Sequence, residues 1–153
     1  MFFDDIKNHV IGIDEVGRGA FCGPVVSCSI LLSEKILKED LVHQITDSKK
    51  LNEKKRILLA RFIKKNSTYH IGKATNREID KFNILQATIL SMKRSYAKFE
   101  NSENLVKIDG VETFHLNKRT NFITSGDSKS VSIAAASILA KTWRDELMVN
   151  YSK

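Results

Sequence analysis

Residues 10–19, Val10-Ile11-Gly12-Ile13-Asp14-Glu15-Val16-Gly17-Arg18-Gly19, put two adjacent carboxylates at the end of an apolar run and directly before a Gly-Arg-Gly turn. The run from Val10 to Asp14 reads as a strand and the glycines as its end. The arrangement recurs downstream. Leu105-Val106-Lys107-Ile108 closes on Asp109 before Gly110, and Phe122-Ile123-Thr124-Ser125-Gly126 leads into Asp127. Strand ends are where α/β sheets build their sites. Carboxylates gathered there repel one another and resist ionisation unless cations lie between them. Asp14, Glu15, Asp109 and Asp127 therefore point to Mg²⁺ or Mn²⁺, which take oxygen ligands.

Outward from this stretch the elements alternate in an α/β manner, with no linker and no internal repeat. Val25 to Leu32 is rich in β-branched and apolar residues, and Tyr69 to Thr75 reads as a weaker strand. A short Gly/Pro-rich loop joins the first two strands, which predicts antiparallel pairing. Leu51 to Lys65 reads as a helix capped by Asn52, with Leu58 and Phe62 on its apolar side and Lys54-Lys55-Arg56 on its exposed side. A second helix spans about Ile84 to Phe99, where Leu85, Ile89, Met92, Tyr96 and Phe99 recur at steps of three and four. That stripe is core packing. The last helix, about Ser132 to Tyr151, opens with Ala134-Ala135-Ala136, small enough to approach the sheet closely.

At 153 residues the chain is expected to be one domain over 1–153, and its 42% hydrophobic content argues against disorder. No apolar run approaches the roughly 18 residues of a membrane span, and the N-terminus lacks the pattern of a signal peptide. A cytoplasmic protein with no membrane partner is expected. The net charge of +7 suits a polyanionic substrate. On composition alone, general solubility explains that charge equally well. Cys22 and Cys28 cannot form a structural zinc site unaided and read as reduced, partly buried residues. The histidines are scattered, and none is assigned a role.

Gly17-Arg18-Gly19 is not a dinucleotide fingerprint, because the next glycine is Gly23 and Pro24 prevents a helix from opening there. Two glycines around an arginine can instead expose backbone to a sugar and phosphate. Asp47-Ser48-Lys49-Lys50 offers a hydroxyl and two ammonium groups near a helix start, which fits either a phosphate or a solvated turn. Asp127, in Gly126-Asp127-Ser128-Lys129-Ser130, is equally suited to capping the last helix.

Taken together, six blocks resemble the signature of the ribonuclease HII family, the bacterial type 2 ribonucleases H. They are Ile13 to Gly19, Gly23 to Val26, Asp47 to Leu51, Asn83 to Thr88, Ile108 to Gly110 and Gly126 to Lys141. The resemblance runs from about Val10 to Met148. It implies a ribonuclease H-like fold, a mixed central sheet flanked by helices. It also implies endonucleolytic cleavage of the RNA strand of RNA/DNA hybrids, and of ribonucleotides embedded in duplex DNA, by two divalent ions. On this resemblance Asp14, Glu15 and Asp109 match the metal-binding carboxylates and Asp127 the fourth catalytic acid. Gly17, Arg18 and Gly19 match the loop that recognises the ribose 2′-hydroxyl. Lys49, Asn83, Gln86, Ser128 and Lys141 fall in blocks that contact nucleic acid, and Asp145 reads as a helix-surface partner for a cation.

Adjacent strand residues point to opposite faces, so Asp14 and Glu15 are expected to share a site only if the chain bends at Glu15. Family members usually continue beyond this sequence with a Tyr-Gly-Thr-type motif. Tyr151 does not match it, and that role is not transferred. A monomer acting on hybrid duplexes is expected. The alternatives are a catalytically weak hybrid-binding module and a different metal nuclease built on the same sheet.

Overall fold

The computed structural model describes residues 1–19 and 22–152. A five-stranded sheet has the order β3-β2-β1-β4-β5, with β1 at Ile11–Val16, β2 at Val25–Leu32, β3 at Ser67–Ala74, β4 at Val106–Asp109 and β5 at Thr120–Ile123. β1 pairs antiparallel with β2, and β2 antiparallel with β3. β1 pairs parallel with β4, and β4 parallel with β5. The helices are α1 (Asp4–Lys7), α2 (Glu53–Lys65), α3 (Asn76–Phe82), α4 (Ile84–Tyr96) and α5 (Val131–Tyr151). The mixed sheet with helices on both faces is the architecture expected. Among the described residues no helix is long and apolar enough to cross a membrane.

Strand alternation divides the core into two layers. On one face Ile11 and Ile13 of β1 pack with Val106 and Ile108 of β4 and with Met92 and Tyr96 of α4. On the other, Val26, Cys28 and Ile30 of β2 pack with Leu59 and Ile63 of α2 and with Ala135 and Ile138 of α5. Both helix layers lie very close to the sheet. A Cβ at Gly12 would sit 2.2 Å from the carbonyl carbon of Ser132 in α5, and one at Gly72 would sit 2.3 Å from the Ser91 carbonyl oxygen in α4. Two buried hydroxyl pairs join α4 to β2, Ser27 with Ser91 and Ser29 with Ser95, each at 2.6 Å.

The N-terminus is built into the same structure. Asp5 is buried and receives Lys107 Nζ at 2.5 Å and the Ser132 amide at 3.4 Å, and it also hydrogen-bonds the Ser130 hydroxyl. The Phe2 carbonyl accepts from the Val131 amide at 3.0 Å. Chain start, β4 and the first turn of α5 are thereby joined.

Several local expectations change. Asn52 does cap α2, accepting from the Lys55 amide at 2.8 Å. The helix is rotated from the expected orientation, however: Leu58 is 47% exposed, whereas Arg56 is only 9% exposed and pairs with Asp145 at 2.9 Å. Leu85 likewise faces outward, leaving Ile89, Met92 and Tyr96 as the buried stripe. Cys28 is buried as expected, but Cys22 is exposed. The short α3 has no apolar stripe to announce it. It starts at a capping box in which the Thr75 hydroxyl accepts from the Glu78 amide and the Glu78 carboxylate accepts from the Thr75 amide.

Candidate active site

The three parallel strands end at one edge of the sheet, and each delivers an acid there. The β1–β4 register runs through Ile13 beside Ile108, so the next residues, Asp14 and Asp109, stand side by side on neighbouring strands. Both fall on the face that carries α5, since Gly12 two residues before Asp14 touches Ser132. Asp127 follows β5 in a 3₁₀ turn, Gly126–Ser128.

Glu15 belongs by alternation to the α4 face. The β1–β2 ladder continues regularly through Glu15 opposite Ser27 and Val16 opposite Val26, so the strand does not bend at Glu15. The chain turns at Gly17, whose φ is 101°. Contact between the two acids comes from the side chains, and the Glu15 amide itself donates to Asp14 Oδ1 at 2.8 Å.

The electrostatics of this edge are unfavourable to its own charges. Burial is the main force pushing the Asp14 carboxyl well above the usual range, and the negative charges of Glu15 and Asp109 push it further. Glu15 is raised by burial, against the opposing pull of its hydrogen bond with Asp14 and the charge of Arg18. Asp127 is raised by burial and by a hydrogen bond with the Asp47 carboxyl, with Asp109 adding repulsion and Lys49 opposing it. Asp47, which the sequence places in a segment suited to a phosphate or a solvated turn and to which no acid role is assigned, is thus a fifth acid of the cluster. Its neighbour Ser48 is held by the Ser137 hydroxyl of α5 at 2.9 Å, which ties this turn to the last helix. Asp109 Oδ1 accepts from the Gly126 amide at 2.6 Å.

The donor set is all oxygen, and the buried Asp14 lies among like charges that a divalent cation would relieve, so the residues fit such an ion. Among the described residues, no three His, Cys, Asp or Glu side chains converge on a single ion position. The acids meet at electrostatic range.

Beside the acids lies the turn between β1 and β2. Gly17 and Gly23 both have left-handed φ, 101° and 90°. Gly19 differs: beyond its immediate chain neighbours, no described atom lies within 4 Å of where its Cβ would be. Arg18 is exposed next to it, and Ala20 and Phe21 lie outside the described residues. The remaining expected contacts are spread more widely. Lys49 is exposed near Asp127. Lys141 pairs with Asp145 at 3.3 Å, and Asp145 also takes Arg56, which makes it the cation partner expected. The Ser128 hydroxyl donates to the Ser125 carbonyl at 2.8 Å. Asn83 and Gln86 sit at the start of α4, where the Asn83 carboxamide oxygen caps the helix by accepting from the Gln86 amide at 3.0 Å.

Comparison with known proteins gives a consistent picture. The profile of the family described as Ribonuclease HII matches residues 11–153. The chain is 44% identical over 146 residues to ribonuclease HII of Trichodesmium erythraeum, covering 93% of this chain and 68% of that protein. It is 44% identical over 143 residues to ribonuclease HII of Pelagibacter ubique, covering 93% and 75%. Among solved structures, the PCNA:RNase HII complex from Archaeoglobus fulgidus contains a similar chain, with a TM-score of 0.75 at 25% identity over 94% of this chain and 76% of that one. With its acids at the ends of three parallel strands and a family profile matched along nearly its whole length, this chain belongs to the ribonuclease HII family of metal-dependent endoribonucleases.

Proposed function

We propose that this chain hydrolyses the RNA strand of RNA/DNA hybrids, and ribonucleotides embedded in duplex DNA, at the edge where β1, β4 and β5 end. The observation that carries the reading is Asp14, buried between Glu15 and Asp109 with its carboxyl pushed well up. A group held so unfavourably suits a site that operates with cations bound. Asp14 and Asp109 would hold the metal centrally, with Glu15 and Asp127 completing the outer positions. What bound Mg²⁺ or Mn²⁺ supplies at such a site is activation of water and neutralisation of charge at the scissile phosphate.

Gly17, Arg18 and Gly19 present backbone and a guanidinium to the sugar bearing the 2′-hydroxyl, the group that separates RNA from DNA. The open space around Gly19 supports this. Among the described residues neither φ nor crowding demands a glycine here, which leaves room for a sugar-phosphate backbone to come close. Lys49 meets phosphate, and Asn83, Gln86, Ser128 and Lys141 extend the contact surface, with the net charge of +7 drawing the duplex in. One observation favours a second reading, a hybrid-binding module with negligible turnover: no three described acids converge on one ion position.

Incubation with labelled hybrid, plain DNA duplex and DNA containing one ribonucleotide, each with and without Mg²⁺ or Mn²⁺, separates the readings. Metal-dependent cutting of the hybrid, abolished in Asp109→Asn at unchanged circular dichroism, is the expected result. Binding without cutting selects the second reading, and cutting of plain DNA overturns both.

A further inference from the structure

Arg144 of α5 reaches across to the turn between β1 and β2. Its Nε–H donates to the Pro24 carbonyl at 3.0 Å and its Nη2–H to the Cys22 carbonyl at 2.8 Å. The same guanidinium occupies the space that two glycines leave empty. A Cβ at Gly17 would lie 2.6 Å from its Nε, and one at Gly23 would lie 2.9 Å from its Nη2 and 2.6 Å from Met148 Sδ, which shares that space. Both ends of the turn therefore rest on one planar group. A rigid fork bonded to two carbonyls fixes orientation in a way a single ammonium cannot. The neighbouring Asp145 is engaged by Arg56 and Lys141, and Arg144 has no carboxylate partner within ion-pair distance among the described residues.

We infer that Arg144 is a positioning residue for ribose recognition: by clamping the Cys22 and Pro24 carbonyls it holds the backbone of Gly17 to Gly19 in the conformation that meets the sugar. The inference rests on reading that turn as the sugar-recognising loop. Arg144 commits its Nε–H and an Nη2–H to the Pro24 and Cys22 carbonyls, so its reported bonds act on the turn and not on the acids. Its effect falls on the preference for hybrid over DNA, not on the acids.

The test is fluorescence polarisation in EDTA, so that cleavage plays no part, with a labelled RNA/DNA hybrid and a DNA duplex of the same sequence. Wild type, Gly19→Ala, Arg144→Gln, Arg144→Lys and the Gly19→Ala/Arg144→Gln pair are compared, with melting temperatures measured alongside. Losing the two charge-assisted bonds is expected to weaken hybrid binding about tenfold in Arg144→Gln while DNA duplex binding changes much less. The double variant is expected to bind little worse than either single one, because both act through one turn. If Arg144→Gln unfolds, Arg144→Lys provides the test: it retains the charge but lacks the planar fork that fixes both carbonyls, and it is expected to lose hybrid preference at near-native melting temperature. If Gly19→Ala keeps the wild-type preference, the reading of the loop fails. If Gly19→Ala loses it while a folded Arg144→Lys or Arg144→Gln keeps it, or if the losses add, the clamp inference alone is overturned.

Discussion

The backbone amide of Gly126 donates to the carboxylate of Asp109 at 2.6 Å, so the acid that ends β4 is oriented by the turn that leads into α5. A Cβ at Gly126 would lie 2.5 Å from Ile133 Cδ1 and 3.2 Å from Asp109 Oδ1. Gly126→Ala is expected to lower stability by about 1–3 kcal/mol through overpacking, read by urea unfolding. Hybrid cleavage is expected to fall further than the fraction unfolded explains. Cleavage that tracks the folded fraction alone would show that this hydrogen bond does not set the acid.

Asp14 gives a pH-dependent expectation in the absence of metal. Burial, then the charges of Glu15 and Asp109, raise its carboxyl in the folded protein. A raised carboxyl contributes its stability fully below its unfolded value, about 3.9, and loses that contribution as pH rises through the folded value. Asp14→Asn has no proton to lose and so never acquires the buried charge. In EDTA the variant should melt above wild type at pH 8, with the difference shrinking as pH is lowered towards the ordinary carboxylate range. Mg²⁺ or Mn²⁺ should raise the melting temperature of wild type more than that of Asp14→Asn. A difference independent of pH would contradict this account of the cluster.

Asp5 is expected to matter for folding far more than its place near the chain start suggests. Asp5→Ala leaves Lys107 and the Ser130 hydroxyl without their buried acceptor. Breaking such a pair costs about 3–5 kcal/mol, which should appear as a lower urea midpoint at unchanged slope.

Gly12→Ala probes the contact between sheet and last helix. The added methyl would meet backbone, the Ser132 carbonyl carbon at 2.2 Å, and backbone cannot swing aside as a side chain can. A loss at or above about 3 kcal/mol is expected, together with reduced cleavage, because α5 must lift from the strand that bears Asp14. Wild-type stability would mean that the two elements are not held so tightly.

Much of the candidate site was legible because its signal is local: an apolar run, an acid and a glycine in succession mark Asp14, Asp109 and Asp127 wherever the sheet places them. The Asn52 cap and the close approach allowed by Ala134 to Ala136 are local in the same sense. What escaped depends on partners distant in sequence. Arg56 looks like a surface residue until Asp145 is brought beside it, and with Arg56 buried, Leu58 turns outward. Asp47 looks like a turn residue until Asp127 is brought against it. The mixed sheet was anticipated from resemblance, since no short-range pattern says that β1 runs parallel to β4. Glu15 shows a limit of reasoning from alternation: it lies on the opposite face from Asp14 without any bend, yet at a strand terminus a long side chain can reach around the edge.

The serine pairs between α4 and β2 fix more than the spacing of those layers. Four helical residues advance about 6.0 Å and two strand residues about 6.8 Å, near enough for Ser91 and Ser95 to meet Ser27 and Ser29 together. Sliding α4 along its axis would break both matches at once and strand buried hydroxyls. The helix therefore has a single permitted height on the sheet, and Asn83 and Gln86 at its tip inherit that height from hydroxyls more than a turn away.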